Sequence, residues 1–241
     1  LNSPANFTAS KLKWVKENQP KIFDKTYKFL LPGDYLAMKL TNKISTTKNG
    51  LSEGIFWDYE SDNLADWLFD YFGFKIDLVP EIVENFNIQG FISDAASKET
   101  GIPCGIPLTY RAGDQPNNAL SLNVFKDGEV AATGGTSGVI YAVTKTKRSN
   151  EASRINHFAH VNYSPSNPYI GKLLCINGAG IMYRWLKNQC SAESYESMNR
   201  QASKIPIGSE GLIILPFGNG AERMLNNTNI GAQFCNINLN H

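Results

Sequence analysis

The sequence predicts an α/β fold, and two observations lead to this prediction. The first part of the chain is dominated by amphipathic helical segments with clear stop signals, such as NLADWLFDYFG ending at Gly73. After residue 128 the character changes, and β-branched residues alternate in EVAATGG and GVIYAVT, as in two strands joined by a glycine turn. We place the best domain boundary near residue 110, between the helical part and this strand-rich part.

The elements before this boundary are mainly helices separated by prolines and turns. Thr8 is predicted to cap a helix that stops before Pro20, because a residue that precedes proline is pushed out of the helical region. Pro32 opens the helix PGDYLAMKL, where its missing N–H costs nothing. The stretch ISTTKNGLSEGIFWDYE is predicted to be a loop followed by a short helix or strand beneath a cleft. Ser93 is predicted to cap the helix DAASKETG.

The elements after the boundary are mainly strands. RINHFAHVNYSP and YIGKLLCIN are predicted to form two more strands, and GAGIMYRWLKNQ a helix opened by glycines. Ser191 is predicted to cap the helix AESYESMNRQASK, and GLIILPF to be a buried strand. Glu222 and Arg223 are predicted to form a surface ion pair without a catalytic role.

Composition excludes several classes of function. Lys and Arg number 23 and Asp and Glu 22, which gives no electrostatic case for nucleic-acid or anionic-membrane binding. No apolar run approaches a membrane span, and no secretory hydrophobic region is present at the N-terminus. The widely spaced cysteines predict buried, reduced thiols in a cytoplasmic protein, without a metal site. They are Cys104, Cys175, Cys190 and Cys235.

Two short motifs carry candidate chemistry, and each has two interpretations. In GDQPNN, Asp114 could cap a helix whose first turn contains Pro116, or take a proton from a hydroxyl. From the residues alone, the cap is the better supported of the two. In GGTSG, over Gly134–Gly138, the glycines could supply positive φ angles to a hairpin, or let backbone N–H groups approach a phosphate. The motif is not a Walker A loop, since no lysine follows the glycines.

Six segments, in one order along essentially the whole chain, resemble the FGGY family of carbohydrate kinases. They are TASKLKWVKEN, PGDYLAMKLTN, GDQ, GTSG, NGAGIMYRWL and LPFGNGAER. The resemblance implies an actin-like, ribonuclease H-like two-domain fold, incomplete in both domains. Residues 1–110 would be the C-terminal part of the substrate domain, and residues 111–241 the first part of the nucleotide domain. Arg111 stands where the family usually has a small residue, and the sequence gives it no role.

The resemblance also implies roles for individual residues. Asp114 would be the catalytic base and contact the sugar, and Gln115 would bind another sugar hydroxyl. The residues implied to bind ATP and its phosphates are Gly135, Thr136, Ser137, Gly138, Gly180 and Arg184. The family's first phosphate loop, Asp-x-Gly-Thr, and its late adenosine motif do not occur in the sequence. We therefore expect no metal ligand within the segment and no kinase turnover by the segment alone.

The implied reaction is ATP-dependent phosphorylation of a sugar hydroxyl, with D-xylulose converted to D-xylulose 5-phosphate. Mg²⁺ would neutralise phosphate charge, and domain closure would exclude water. The expected partners are the sugar and ATP, without nucleic acid or membrane, and the resemblance allows a homodimer. Two alternatives stay open: a kinase for glycerol, gluconate or a deoxy-ketose, and a non-catalytic sugar-binding or assembly module.

Overall fold

A computed structural model of the chain describes residues 7–151 and 153–238, and it mixes helices with short strands. The α-helices are α1 (Thr8–Asn18), α2 (Pro20–Phe23), α3 (Pro32–Thr41), α4 (Lys48–Glu53), α5 (Asp66–Phe72), α6 (Asp94–Thr100), α7 (Asp114–Ser121), α8 (Ala179–Gln189) and α9 (Tyr195–Ala202). The strands of the N-terminal half are β1 (Ser45–Thr47), β2 (Trp57–Asp58), β3 (Asn63–Leu64), β4 (Glu81–Val83), β5 (Gly90–Phe91) and β6 (Pro107–Leu108). The remaining strands are β7 (Val130–Gly134), β8 (Gly138–Thr144), β9 (Asn156–Ala159), β10 (Ile170–Ile176), β11 (Ile213–Leu215), β12 (Ala221–Glu222), β13 (Thr228–Asn229) and β14 (Gln233–Cys235). The predicted α/β class is confirmed.

The largest sheet in the described residues has four strands in the order β7-β8-β10-β9. The other strands form two-stranded pairs. β1 and β4 run parallel, with Thr46 opposite Ile82, whereas β2–β3, β5–β6, β11–β14 and β12–β13 are antiparallel. The strands predicted from EVAATGG and GVIYAVT are confirmed as β7 and β8.

The chain divides into two compact units. The first comprises the described residues of Leu1–Ala131 together with Tyr141–Asn150 and Asn156–Lys172. The second comprises Ala132–Ile140, the described part of Glu151–Ile155, and Leu173 onwards through residue 238. A compact unit is defined by contacts in space and a family domain by its sequence, so the boundary near residue 110 stays a prediction. No helix among the described residues is both long and apolar enough to cross a membrane.

The core of the first unit is aromatic. Phe56 is completely buried and stacks on Phe29, with the ring centroids 4.6 Å apart. Its other neighbour is Phe69 of α5, at 5.4 Å and tilted by 46°. Aromatic pairs in these geometries add to the stabilisation that burial of their area provides. The core therefore fixes α5 against the segment that follows α4.

Helix α4 is anchored at both ends by side-chain hydrogen bonds. At its start, the Thr47 hydroxyl accepts a hydrogen bond from Gly50 N–H at 3.1 Å, as an N-cap does. Along its length, Asn49 Nδ2 donates to the carbonyl of Ala159, and the Ala159 N–H donates to Ser52 Oγ at 2.8 Å. Asn49, Ser52 and Ala159 are buried, so α4 is fixed to the end of β9 by polar contacts that water cannot replace. The predicted loop at the start of this stretch is therefore wrong, because β1 and α4 occupy it, and the short strand β2 follows them.

Several local predictions are confirmed and others are wrong. The N-cap of α1 is Phe7 and not Thr8, which is the first helical residue. Pro32 opens α3, and the Ser93 hydroxyl caps α6 by accepting from Ala96 N–H at 3.2 Å. The cap of α9 is Ser194, whose hydroxyl accepts from Ser197 N–H at 3.1 Å, and not Ser191. Strand β11, predicted to be buried, is exposed at two of its three residues. The cysteines are free, but two are exposed and two half-buried.

The predicted surface pair of Glu222 and Arg223 is also wrong. Glu222 is completely buried, and its Oε2 accepts a hydrogen bond from Asn177 N–H at 3.2 Å. Arg223 Nε donates to the Ser153 carbonyl at 2.7 Å, and its Nη2 to the Ile155 carbonyl at 2.9 Å. Two adjacent opposite charges in a sequence do not show whether either side chain is buried. Here both side chains make hydrogen bonds to backbone groups within the second unit.

A buried histidine makes the stability of the fold sensitive to acid. His160 is completely buried, with Nε2 2.9 Å from the Val124 carbonyl and Nδ1 3.1 Å from the Tyr141 hydroxyl. Burial lowers the pKa of His160 to about 4, while the Val124 carbonyl and Glu129 oppose the shift. Because the unfolded chain binds this proton at higher pH than the folded chain, the contribution of neutral His160 to stability is complete above pH 6.5. It is lost as the pH falls towards 4.

We expect His160→Gln, which does not titrate, to reduce this acid sensitivity. Between pH 7 and pH 5, the free energy of unfolding of the unaltered protein should fall by on the order of 2 kcal/mol more than that of the variant. Urea unfolding of both proteins at the two pH values measures the difference, in which the contributions of other titrating groups cancel. Equal losses in the two proteins would show that His160 is not held neutral in the fold.

Candidate functional site

Asp114 occupies the first turn of α7, but it is not the N-cap. The N-cap is Gly113, with φ −71° and ψ 172°, and Asp114 is the first helical residue. The side chain of Asp114 is turned to its neighbour: Oδ1 accepts from Gln115 N–H at 2.8 Å, and Oδ2 from Gln115 Nε2 at 3.4 Å. Asp114 is exposed, and a carboxylate at this position is stabilised by the helix dipole. The carboxylate is therefore oriented by Gln115 while it stays accessible.

A cavity of about 360 Å³ in the first unit brings Asp114 together with other charged residues. The residues that line it are Leu31, Pro32, Gly33, Asp34, Thr47, Gly50, Glu53, Arg111, Ala112, Gly113 and Asp114. This volume falls within the range of small-molecule sites. Gln115, which the sequence analysis assigned to a second sugar hydroxyl, is not among the described residues of this lining. Its amide contacts Asp114 instead.

Glu53, at the end of α4, is a site residue that the sequence analysis missed. Its Oε1 is buried and has no hydrogen-bond partner among the described residues. Burial and, to a smaller extent, the nearby Asp114 carboxylate raise the pKa of Glu53 to about 7, while the Gly113 N–H opposes the shift. A signal was present in the sequence, because the acidic residue interrupts the otherwise uncharged segment NGLSEGIFW.

The glycine before Asp114 leaves room for the carboxyl group of Glu53. A Cβ atom on Gly113 would lie 1.8 Å from both carboxyl oxygens of Glu53. The Gly113 N–H also lies 3.4 Å from Asn49 Oδ1, on the same helix as Glu53. The glycine of the Gly-Asp-Gln motif thus permits the close approach of α4 to the start of α7.

Arg111 has a structural partner in the same cavity. Its Nε lies 3.0 Å from Asp34 Oδ1, and its Nη2 donates to Ser45 Oγ at 3.1 Å. Asp34 Oδ2 accepts from the Thr46 hydroxyl at 2.9 Å. Burial raises the pKa of Asp34, and Arg111 opposes that shift. The structure therefore explains Arg111 as the counter-ion of a buried aspartate. Among the described residues that line the cavity, Glu53 and Asp114 are then the carboxyl groups without a cation.

The second unit contains the predicted phosphate loop, which connects β7 to β8. Thr136 is exposed and Ser137 half-buried, and the loop is closed by a hydrogen bond from Gly135 N–H to the Ser137 carbonyl at 3.0 Å. None of the glycines at positions 134, 135 and 138 has a positive φ. The interpretation that they supply left-handed conformations is therefore wrong at this loop.

Gly180 holds this loop against the start of α8. Its N–H donates to the Gly135 carbonyl at 2.9 Å, and Ile181 N–H donates to the Thr136 carbonyl at 3.1 Å. A Cβ on Gly180 would lie 2.3 Å from the Gly135 oxygen. The structure thus brings the predicted residues Gly135, Thr136 and Gly180 together. Arg184, also predicted, is exposed on the same helix, and within the described part of the chain no hydrogen bond or ion pair joins it to the loop.

A second cavity, of about 400 Å³, also lies in the second unit beside α8. The residues that line it are Gly178, Ile181, Met182, Trp185, Phe217, Gly218, Asn219, Gly231 and Ala232. This lining is apolar and includes two large aromatic rings, so it suits a flat, uncharged group. The predicted residues Gly180 and Arg184 are not in the described lining, although their helical neighbours are.

We expect Gly180→Ala to weaken the contact between the loop and α8. The added Cβ meets a backbone carbonyl rather than a flexible side chain, and overpacking of this kind typically costs about 1–3 kcal/mol. Thermal unfolding and hydrogen exchange of the Gly135 amide measure the effect. Gly134→Ala is the matched control, since a Cβ there meets nothing within 4 Å. Equal stability of the two variants would contradict this account of the loop.

Comparisons with known proteins identify relatives of this chain. Residues 3–121 match the N-terminal domain of the FGGY family of carbohydrate kinases. A probable L-xylulose kinase from Haemophilus influenzae is 27% identical over 216 residues, which are 89% of this chain and 44% of that protein. A xylulose kinase from Bacillus subtilis is 27% identical over 212 residues, 88% of this chain and 42% of that protein. The chain thus spans less than half the length of these curated relatives.

Solved structures show the same fold. The crystal structure of a xylulose kinase from Rhodospirillum rubrum matches with a TM-score of 0.82 and 24% identity, over 98% of this chain and 47% of that one. The structure of a Plasmodium falciparum glycerol kinase with ADP matches with a TM-score of 0.81 and 19% identity, over 96% of this chain and 46% of that one. The expected actin-like ATPase fold is confirmed, over about half of such a kinase. Through residues 3–121, the chain belongs to the FGGY family of carbohydrate kinases.

Proposed function

We propose that the protein containing this chain transfers the γ-phosphoryl group of ATP to a hydroxyl of a ketopentose, with D-xylulose as the substrate. The observation that carries the proposal is an accessible carboxylate, Asp114, in a cavity of small-molecule size within a chain of a carbohydrate kinase family. The predicted division into a substrate part, residues 1–110, and a nucleotide part from residue 111 is retained as part of the proposal. So is the cytoplasmic location.

In the cavity of the first unit, Asp114 accepts the proton of the attacking hydroxyl. The hydroxyl oxygen forms a bond to the γ-phosphorus, the bond from this phosphorus to the β–γ bridging oxygen breaks, and ADP leaves. The hydrogen bonds from Gln115 hold the Asp114 carboxylate in one orientation. Such positioning is what general-base catalysis requires, because the base must lie within hydrogen-bond reach of the proton. In this proposal Gln115 also binds a further sugar hydroxyl.

In the nucleotide part, the loop at residues 135–138 contacts the phosphates of ATP. Its support is the exposed Thr136 hydroxyl, beside the start of α8. The helix dipole favours an anion there, while Gly180 and Ile181 use their N–H groups to hold the loop itself. The apolar cavity containing Trp185 and Phe217 then accepts the base. Gly180 acts by docking the loop, and Arg184 remains a proposed contact of the phosphates.

Mg²⁺ enters the proposal only as the companion of ATP. In residues 7–151 and 153–238, no group of three or more histidine, cysteine or carboxylate side chains could hold a metal ion. Protein-bound Mg²⁺ commonly keeps several waters and takes most other ligands from substrate phosphates. We therefore assign no metal ligand in the described chain and route no step through the ion.

The charge of the sugar cavity favours a neutral substrate over a sugar acid. Of the described residues that line it, Asp34, Glu53 and Asp114 are acidic, and Arg111 is already paired with Asp34. An anionic substrate such as gluconate would meet like charge there, which reduces affinity. D-xylulose and glycerol carry no charge and avoid this repulsion.

A panel of substrates tests the proposal directly. With the complete protein and ATP, we expect sugar-dependent ADP release with D-xylulose, a lower kcat/KM with glycerol and L-xylulose, and little release with gluconate. A coupled assay for ADP gives kcat and KM for each compound. Efficient phosphorylation of gluconate would overturn the charge argument, and no ADP release with any member of the panel would overturn the proposed function.

Asp114→Asn tests the proposed base. The amide has nearly the size of the carboxylate but cannot accept the proton, so kcat should fall by about 10²- to 10⁴-fold, while the affinity for the sugar changes much less. Steady-state kinetics and calorimetric titration with D-xylulose separate the two effects. A fall in kcat of less than about tenfold would sink the assignment, because it lies below the usual contribution of a general base.

A further inference from the structure

The chemistry assigned so far leaves one buried carboxyl group of the cavity unused. Glu53 projects from the end of α4, with Oε1 buried and unpartnered among the described residues. The structure makes room for this group, because Gly113 has no side chain where the carboxyl lies. An unpaired buried carboxyl oxygen costs free energy unless a ligand or water binds it. Both observations indicate that the Glu53 carboxyl group is placed to bind a ligand.

The neighbouring charges do not provide the missing partner. Arg111 is paired with Asp34 and hydrogen-bonded to Ser45. Asp114 and Asp34 repel a negative charge on Glu53 and so favour its protonated form. The titratable and charged groups around Glu53 are Asp34, Arg111, Asp114, Tyr59, Tyr110 and Tyr141.

We propose that Glu53 binds a second hydroxyl of the sugar whose attacking hydroxyl contacts Asp114. Glu53 would thus determine specificity for a substrate with several hydroxyl groups. The inference rests on the proposed function and extends it to a residue that the family resemblance did not indicate. A carboxyl group suits this role in either form, since it accepts hydrogen bonds when ionised and both donates and accepts when protonated.

The anchoring of α4 makes Glu53 suitable for discrimination. The helix is fixed at Asn49 and Ser52 by buried hydrogen bonds to Ala159, so the carboxyl cannot move far to meet a differently placed hydroxyl. A site whose buried polar group loses its partner rejects a substrate that lacks the matching hydroxyl. Glu53 would therefore exclude single-deoxy analogues of the correct sugar, whereas Asp114 serves every substrate that is phosphorylated.

Glu53→Ala and Glu53→Gln in the complete protein test the proposal. We expect Glu53→Ala to raise the Kd for D-xylulose by about tenfold or more, with a smaller effect on kcat than on KM. Glu53→Gln keeps the size and the hydrogen-bonding groups, so it should retain most of the affinity. Glu99→Ala, which removes an exposed carboxylate from α6, is the matched control and should bind as the unaltered protein does. Calorimetric titration measures Kd, and thermal unfolding shows that each variant is folded.

Single-deoxy analogues of D-xylulose identify the hydroxyl. One analogue should lose about tenfold in affinity for the unaltered protein but little for Glu53→Ala, because the variant has already lost that contact. Unchanged affinity of both Glu53 variants for D-xylulose, while the unaltered protein binds it, would overturn this inference alone. Absence of sugar binding by the unaltered protein would overturn the proposed function, and the inference with it.

Discussion

The geometry of the cavity that contains Asp114 depends on the attachment of α4 to the end of β9. Asn49 and Ser52 exchange hydrogen bonds with both backbone groups of Ala159, 110 and 107 residues further along the chain. Inside a protein such bonds cannot be replaced by water, so losing either partner leaves a buried polar group unsatisfied. This attachment fixes where α4 ends, and therefore where the Glu53 carboxyl meets Gly113. Glycine at position 113 then lets the start of α7 come close enough for Asp114 to share the cavity.

Charge in this cavity is distributed in an unequal way. Arg111 and Asp34 neutralise each other, since their ion pair is largely buried, whereas Glu53 and Asp114 have no cation within the described lining. Burial and the neighbouring Asp114 carboxylate raise the pKa of Glu53 to about 7, while the Gly113 N–H opposes the shift. Asp114 is exposed whereas Glu53 is half-buried, so the surroundings of the two carboxyl groups differ through their place in the fold rather than through residue type.

Much of the fold could be predicted from the sequence, and the reasons are local. The alternation in GVIYAVT, the proline at the start of α3 and the serine before α6 each act within a few residues of where they stand. Glu53 and Arg111 could not be assigned in this way, because their environments are made by segments 60 and 77 residues away, at Gly113 and Asp34. Burial was the other source of error, as for Glu222, whose sequence neighbours gave no sign that it lies inside the second unit. The family resemblance pointed to Gly180, but not to the physical reason for a glycine there.

The two hydrogen bonds that dock the loop at residues 135–138 on α8 join main-chain atoms. The carbonyls of Gly135 and Thr136 accept from the N–H groups of Gly180 and Ile181, and the side chains of the loop take no part in these two bonds. The position of the loop therefore depends on Gly180 having no side chain, because a Cβ atom there would collide with the Gly135 carbonyl. Its hydroxyl-bearing side chains are left unconstrained by that attachment. They can be exchanged to suit a bound group without dismantling the support beneath them, so anchoring and recognition are separable properties at this point of the chain.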